Sequence, residues 1–84
     1  MFKAKVYITL KQGVLDPQGK AVKESLLSLG YDETQDVRIG KYIELQLNVD
    51  KYHVAEERTR EMCEKLLANT VIEDYRFQIE EVSI

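Results

Sequence analysis

Residues 35–49 read QDVRIGKYIELQLNV, and the number of strands in this stretch decides the architecture of the chain. Val37, Ile39, Ile43, Leu45, Leu47 and Val49 share odd parity across Gly40-Lys41. A two-residue hairpin at Gly40-Lys41 would pair Ile39 with Tyr42, and the apolar sets on its two sides would then land on opposite faces. A tight turn is therefore disfavoured. Either a three-residue loop from Gly40 to Tyr42 pairs Ile39 with Ile43, or one long strand bends at Gly40, a residue that tolerates a positive φ. The sequence leaves both open.

Upstream, the pattern is plainer. Phe2, Ala4, Val6, Ile8 and Leu10 alternate with Lys3, Lys5, Tyr7, Thr9 and Lys11, the period of a strand with one face on a core. In GVLDPQGKAVKESLLSLG, residues 13–30, Asp16 is a good N-cap and Pro17 suits the first helical position. Ala21, Val22, Leu26 and Leu29 recur at helical spacing, and Gly30 is a natural left-handed stop, so a helix is predicted from about Pro17 to Leu29.

Downstream, Asp50 is placed to cap a second helix with an apolar stripe of Ala55, Thr59, Met62, Cys63, Leu66 and Leu67. Glu56–Arg60 and Glu61–Lys65 are favourable pairs four residues apart on its wet side, and Asn69 is a plausible stop. A last strand begins near Val71 or Ile72 with Tyr75, Phe77 and Ile79 on one face. Val82 and Ile84 change parity after Glu80-Glu81, so it kinks or ends there.

The order strand, helix, one or two strands, helix, strand predicts a single α+β domain over residues 1–84. Its expected form is a two-layer sandwich, with two helices on one face of a mainly antiparallel sheet. The split βαβ, ferredoxin-like pattern is the nearest common type. The uncovered face would carry Lys3, Lys5, Tyr7, Tyr42, Glu44, Gln46, Arg76 and Gln78, a candidate oligomer face.

Composition narrows the function. A chain of 84 residues buries a modest core, so self-association or a partner would help it. A net charge of −3 argues against a dedicated nucleic-acid binder, which relies on clustered Lys and Arg. No apolar run approaches the ~20 residues of a membrane span. The alternating amino terminus lacks the unbroken apolar stretch of a signal peptide. The single Cys63 cannot form an internal disulfide. A cytoplasmic protein is expected.

Reactive side chains do not converge. His53 and Cys63 lie ten residues apart on one predicted helix, roughly 15 Å along its axis and beyond hydrogen-bond reach. The same gap removes them as a joint metal site. Cys63 on the apolar stripe reads as a small core residue and His53 as a solvated one. The pairs Glu56-Glu57, Glu73-Asp74 and Glu80-Glu81 are adjacent in sequence, diverge in direction, and read as solvated charges. The five tyrosines suit packing or an interface. Gln18, Gly19 and Lys20 at the first helix mouth have the donors and charge of a phosphate cradle, but the Asp16 carboxylate competes for those donors and repels an anion.

Three motifs point to a family. VLDPQGKAV, DVRIGKYIELQL and MCEKLLANTVIEDYRFQIEEV, in this order and over essentially the whole chain, closely resemble the PurS family. Only NVDKYHVAEERTR departs from the family pattern. PurS proteins are small subunits of phosphoribosylformylglycinamidine synthase, in de novo purine synthesis. The resemblance implies a non-catalytic assembly subunit that forms a dimer or tetramer. It would join a PurQ glutaminase to an ATP-dependent PurL synthetase and help ammonia pass between them. It implies no catalytic residue, cofactor or metal on this chain, with ATP and magnesium used on the synthetase. It offers turn residues as candidate partner contacts: Asp16, Pro17 and Gly19 in the first motif, Arg38, Gly40 and Lys41 in the second, Asn69 and Thr70 in the third. For Gly19, Gly40 and Asn69 the competing reading is backbone geometry, whereas Arg38 and Lys41 flank a strand with little expected structural duty.

Two further readings compete. One is a small-molecule-sensing regulatory module on a ferredoxin-like scaffold. The other is a phosphate-handling enzyme at the Gly19-Lys20 mouth.

Overall fold

The strict alternation of the first strand becomes the centre of the sheet. In the computed structural model, which describes residues 1–82, strand β1 spans Phe2–Leu10. Helix α1 (Pro17–Ser28) follows, then β2 (Gly40–Leu47), helix α2 (Tyr52–Met62) with a π-helical turn at Cys63–Leu67, and β3 (Glu73–Glu81). Both outer strands run antiparallel to β1, in the order β2-β1-β3. Val6 is opposite Ile43 on one side and Phe77 on the other, so three apolar rows share one face. There Phe2, Ala4, Val6 and Ile8 are buried against Ala55, Cys63 and Ala68. The antiparallel sheet and the α+β, ferredoxin-like class are those expected from the sequence, but of the two helices expected on one face of the sheet only α2 packs there.

The stretch at 35–49 is neither a hairpin nor a bent strand. Residues 35–39 are outside the sheet, and β2 begins at Gly40 opposite Thr9. Arg38 and Ile39 give their hydrogen bonds elsewhere, to the end of β1 and to Asp16. The shared parity of Val37 and Ile39 with β2 is therefore no sign of a common strand. Nor does Gly40 have a positive φ, since among the described residues only Gly13 and Gly30 do. Gly40 is small because β1 passes close by: a Cβ there would collide with the Ile8 carbonyl oxygen and sit 2.9 Å from Thr9 Cγ2.

Gly30, at φ 96°, ends α1 as expected, and the capping N–H groups of Leu29, Gly30 and Tyr31 reach back to Ser25, Leu26 and Leu27. Helix α2 differs from expectation at both ends. Lys51, not Asp50, is its N-cap residue, with no side-chain cap. At the other end the π-helical turn inserts an extra residue per turn and shifts the stripe. Cys63 and Ala68 are buried and Leu67 packs against the core, while Leu66 is 83% exposed. Arg60 pairs with Glu56 at 4.0 Å as expected, but Glu61 pairs with Arg58 instead of Lys65. The parity change predicted for Ile84 lies outside the described residues. Strand β3 ends at Glu81, where the sequence placed its kink or end.

The helices relate differently to the sheet. Helix α2 packs along β1 and β3, whereas α1 has no comparable packing on any strand. The molecule measures 50 × 30 × 14 Å with a radius of gyration of 16.4 Å, against about 12 Å for a compact chain of this length.

Candidate partner-binding rim

The first and second motifs meet through Asp16. One carboxylate oxygen accepts from the Gly19 N–H at 2.9 Å, capping α1, and the other accepts from the Ile39 N–H at 2.9 Å. Those two N–H groups, Ile39 first, hold the Asp16 carboxyl below the usual aspartate value, and the nearby Arg38 charge lowers it further. Arg38 donates from Nη2 to the Leu10 carbonyl and, at 3.1 Å, to the Lys11 carbonyl. Gly19 is buried, and a Cβ there would run into the Val37 carbonyl and lie 2.7 Å from the Asp16 carboxylate. Pro17 occupies the first turn of α1, where no N–H is needed. This clasp ties the segment before β2 to the end of β1 and to the mouth of α1.

The third motif joins the same end of the sheet. Asn69 turns the chain after the π-helical segment, its Oδ1 accepting from Val71 N–H at 3.2 Å and its carbonyl from Ile72 and Glu73. Glu73 completes the turn by accepting from the Asn69 N–H at 2.7 Å. Its other carboxylate oxygen lies 3.5 Å from Lys41 Nζ. Thr70 is exposed. The register places Gly40 opposite Thr9 and Glu73 opposite Leu10, so residues far apart in sequence form one rim. A cleft of about 240 Å³ runs along it, lined by Asp16, Gln18, Gly40, Lys41 and Glu73 among others.

Arg38, read from sequence as a cation with little structural duty, is instead bound to two backbone carbonyls. Glu73, read as solvated, keeps only 14% of its side chain exposed and bridges the second motif to the third. The spacing from Asn69 to Glu73 was the available signal, since a carboxylate four residues on can close the turn. The carbonyls of Leu10 and Lys11 carried none.

Elsewhere the structure places reactive groups apart. Cys63 is fully buried, and burial, with a smaller push from Glu64, raises its thiol pKa. His53 is exposed. At the α1 mouth the Asp16 carboxylate already holds the Gly19 N–H. Among the described residues no group of three or more His, Cys, Asp and Glu could hold a metal ion, and no helix is long and apolar enough to cross a membrane.

The face away from α2 is a polar ladder. Lys5 pairs with Glu80 at 2.7 Å and Lys3 with Glu44 at 3.8 Å. Arg76 lies 4.1 Å over the Tyr7 ring, which in turn sits 5.1 Å from Tyr42. The Tyr42 hydroxyl donates to Glu44, and that bond pushes its pKa up.

The rim's three motifs are those of a known family, and comparison with known proteins agrees. The PurS family, described as phosphoribosylformylglycinamidine (FGAM) synthase, matches residues 3–81. The phosphoribosylformylglycinamidine synthase subunit PurS of Bacillus subtilis is 58% identical over 82 residues, covering 98% of this chain and 96% of the relative. The PurS structure from Methanocaldococcus jannaschii superposes with a TM-score of 0.88 at 38% identity, covering 99% of this chain and all of that one. A chain of the PurLQS structure from Thermotoga maritima gives a TM-score of 0.86 at 28% identity, covering 94% of this chain and 96% of that one. The chain belongs to the PurS family of phosphoribosylformylglycinamidine synthase.

Proposed function

We propose that this chain is the non-catalytic assembly subunit of the phosphoribosylformylglycinamidine synthase complex. It bridges the PurQ glutaminase and the PurL synthetase and assists ammonia transfer between them. The complex converts formylglycinamide ribonucleotide, glutamine and ATP into formylglycinamidine ribonucleotide, glutamate, ADP and phosphate. PurQ supplies the nucleophilic cysteine, and PurL binds ATP and magnesium. The observation that carries this reading is likeness over nearly the full chain to PurS relatives, one of them a chain of a PurLQS structure.

The rim is the proposed contact surface. Asp16, Gly19, Arg38 and Gly40 shape it through their bonds and close approaches within the chain. Lys41 and Thr70, with Pro17 and Asn69 at its turns, are exposed for a partner to touch. The chain self-associates to a dimer or tetramer, acts in the cytoplasm, and uses neither nucleic acid nor a membrane surface.

Size-exclusion chromatography with light scattering tests this directly. The chain mixed with PurL and PurQ should elute as one complex, and Lys41→Glu should weaken that co-elution while the free chain keeps its mass. Unchanged elution of all three wild-type proteins on mixing would contradict the proposal.

A further inference from the structure

Among the described residues, the ion pair of Lys41 with Glu73 is built unlike the others. In Lys3–Glu44, Lys5–Glu80, Arg58–Glu61 and Arg60–Glu56 the carboxylate side chain is 48%, 50%, 51% and 40% exposed. In Lys41–Glu73 the carboxylate is only 14% exposed, while the lysine side chain stays 57% exposed.

Glu73 is fixed by the turn before β3. Its Oε1 accepts from the Asn69 N–H at 2.7 Å, and its own N–H donates to the Asn69 carbonyl at 2.7 Å. The strand pairing holds it opposite Leu10. Its Oε2 is thereby an immobile anion, 3.5 Å from Lys41 Nζ. One carboxylate oxygen cannot use all three N–H groups of an ammonium, so Lys41 has donors left for an oxygen brought by another molecule.

Both side chains line the rim cleft of about 240 Å³. The other charged group there, the Asp16 carboxylate, is spent on the N–H groups of Gly19 and Ile39. The cleft's charged donor with bonding capacity to spare is therefore the Lys41 ammonium. A pair exposed on its lysine side adds little to folding. Its effect is in preparation for contact. A free lysine loses much rotamer freedom when it is gripped, and one already held loses less.

We propose that Glu73 is a positioning residue for the assembly contact. It holds Lys41 so that the ammonium meets an acceptor oxygen of the partner subunit docked at the rim. Glu73 does not itself touch the partner and acts through Lys41. This rests on the bridging role proposed above and names the donor by which the rim is gripped.

The test titrates the chain into a mixture of PurL and PurQ and follows glutamine-dependent synthesis, which yields a half-saturating concentration and a plateau. Lys41→Ala and Glu73→Gln should each raise the half-saturating concentration by about fivefold and leave the plateau unchanged. The new glutamine can still accept from the Asn69 N–H, so the denaturant midpoint of Glu73→Gln should stay near that of the wild type. In the double variant, Glu73→Gln should add nothing to the loss caused by Lys41→Ala. Losses that multiply would show Glu73 acting independently of Lys41 and would overturn the proposal. A second measurement needs no variant at Glu73: side-chain relaxation by nuclear magnetic resonance in the free wild type should show Lys41 more restricted than the exposed Lys51, and equal mobility would also overturn it. A wild type that leaves synthesis unchanged at every concentration would remove the bridging role and this inference together. A wild type that saturates normally, with Glu73→Gln matching it, would remove the positioning role alone.

Discussion

Helices α1 and α2 are nearly equal in length, 12 and 11 residues, and are held in opposite ways. Helix α2 is fastened along its length: Ala55 and Thr59 are fully buried and the run continues into Cys63. Thr59 adds a hydrogen bond from its hydroxyl to the Ala55 carbonyl at 2.8 Å, which satisfies its buried oxygen. Helix α1 is fastened at one end only, through Asp16 and Gly19. Apolar packing positions α2, and polar bonds at the first turn aim α1. An apolar stripe in sequence therefore predicts that a helix has a partner, not that the partner is in the same chain.

The sharpest break in this contrast is a charge in the packed helix. Ala55→Asp puts an unpaired carboxylate into the core and should cost on the order of 3–5 kcal/mol, read as a lowered denaturant midpoint. A midpoint close to wild type would mean that α2 is not fastened as described. Next comes the rim. Gly40→Val drives a side chain against the Ile8 carbonyl and should cost about 1–3 kcal/mol, again seen in the midpoint, and no loss would remove the close-approach account of Gly40.

A smaller effect follows from the lowered pKa of Asp16. A carboxyl lowered in the folded state adds stability above its unfolded value and loses it as pH falls through the folded one. Melting temperatures taken downward from about pH 5 should therefore fall faster for wild type than for Asp16→Asn, and the two curves should converge. Parallel curves would mean that the carboxylate bonds to Ile39 and Gly19 add nothing. The smallest effect is expected on α1 itself. Leu29→Asp, measured in dilute monomer, should change stability by no more than about 0.5 kcal/mol, because its side chain has no intrachain partner to lose. A loss comparable to that of Ala55→Asp would erase the contrast between the helices.

Local signals were the legible ones. The alternation of β1, the Asp16-Pro17 start of α1 and its Gly30 stop depend on neighbours in sequence, and each has its expected place. The failures depend on distant residues. Val37 and Ile39 continue the parity of β2, but Arg38 between them reaches carbonyls 27 and 28 residues away and holds the segment off the sheet. The π-helical turn moved Leu66 out of the stripe while Leu67 kept its expected place on the core, a frame shift that spacing alone does not disclose. The eight candidate rim residues were singled out by family resemblance. Their convergence at one end of the sheet became visible only through the strand register and through Glu73, which joins Asn69 to Lys41.

The claim that this chain works by contact is most directly tested by reconstitution. Purified PurL and PurQ are assayed for formylglycinamidine ribonucleotide with glutamine, and in parallel with ammonium salt, with and without this chain. Glutamine-dependent synthesis should require the chain, while ammonia-dependent synthesis by PurL should not. Equal glutamine-dependent rates in its presence and absence would contradict the account.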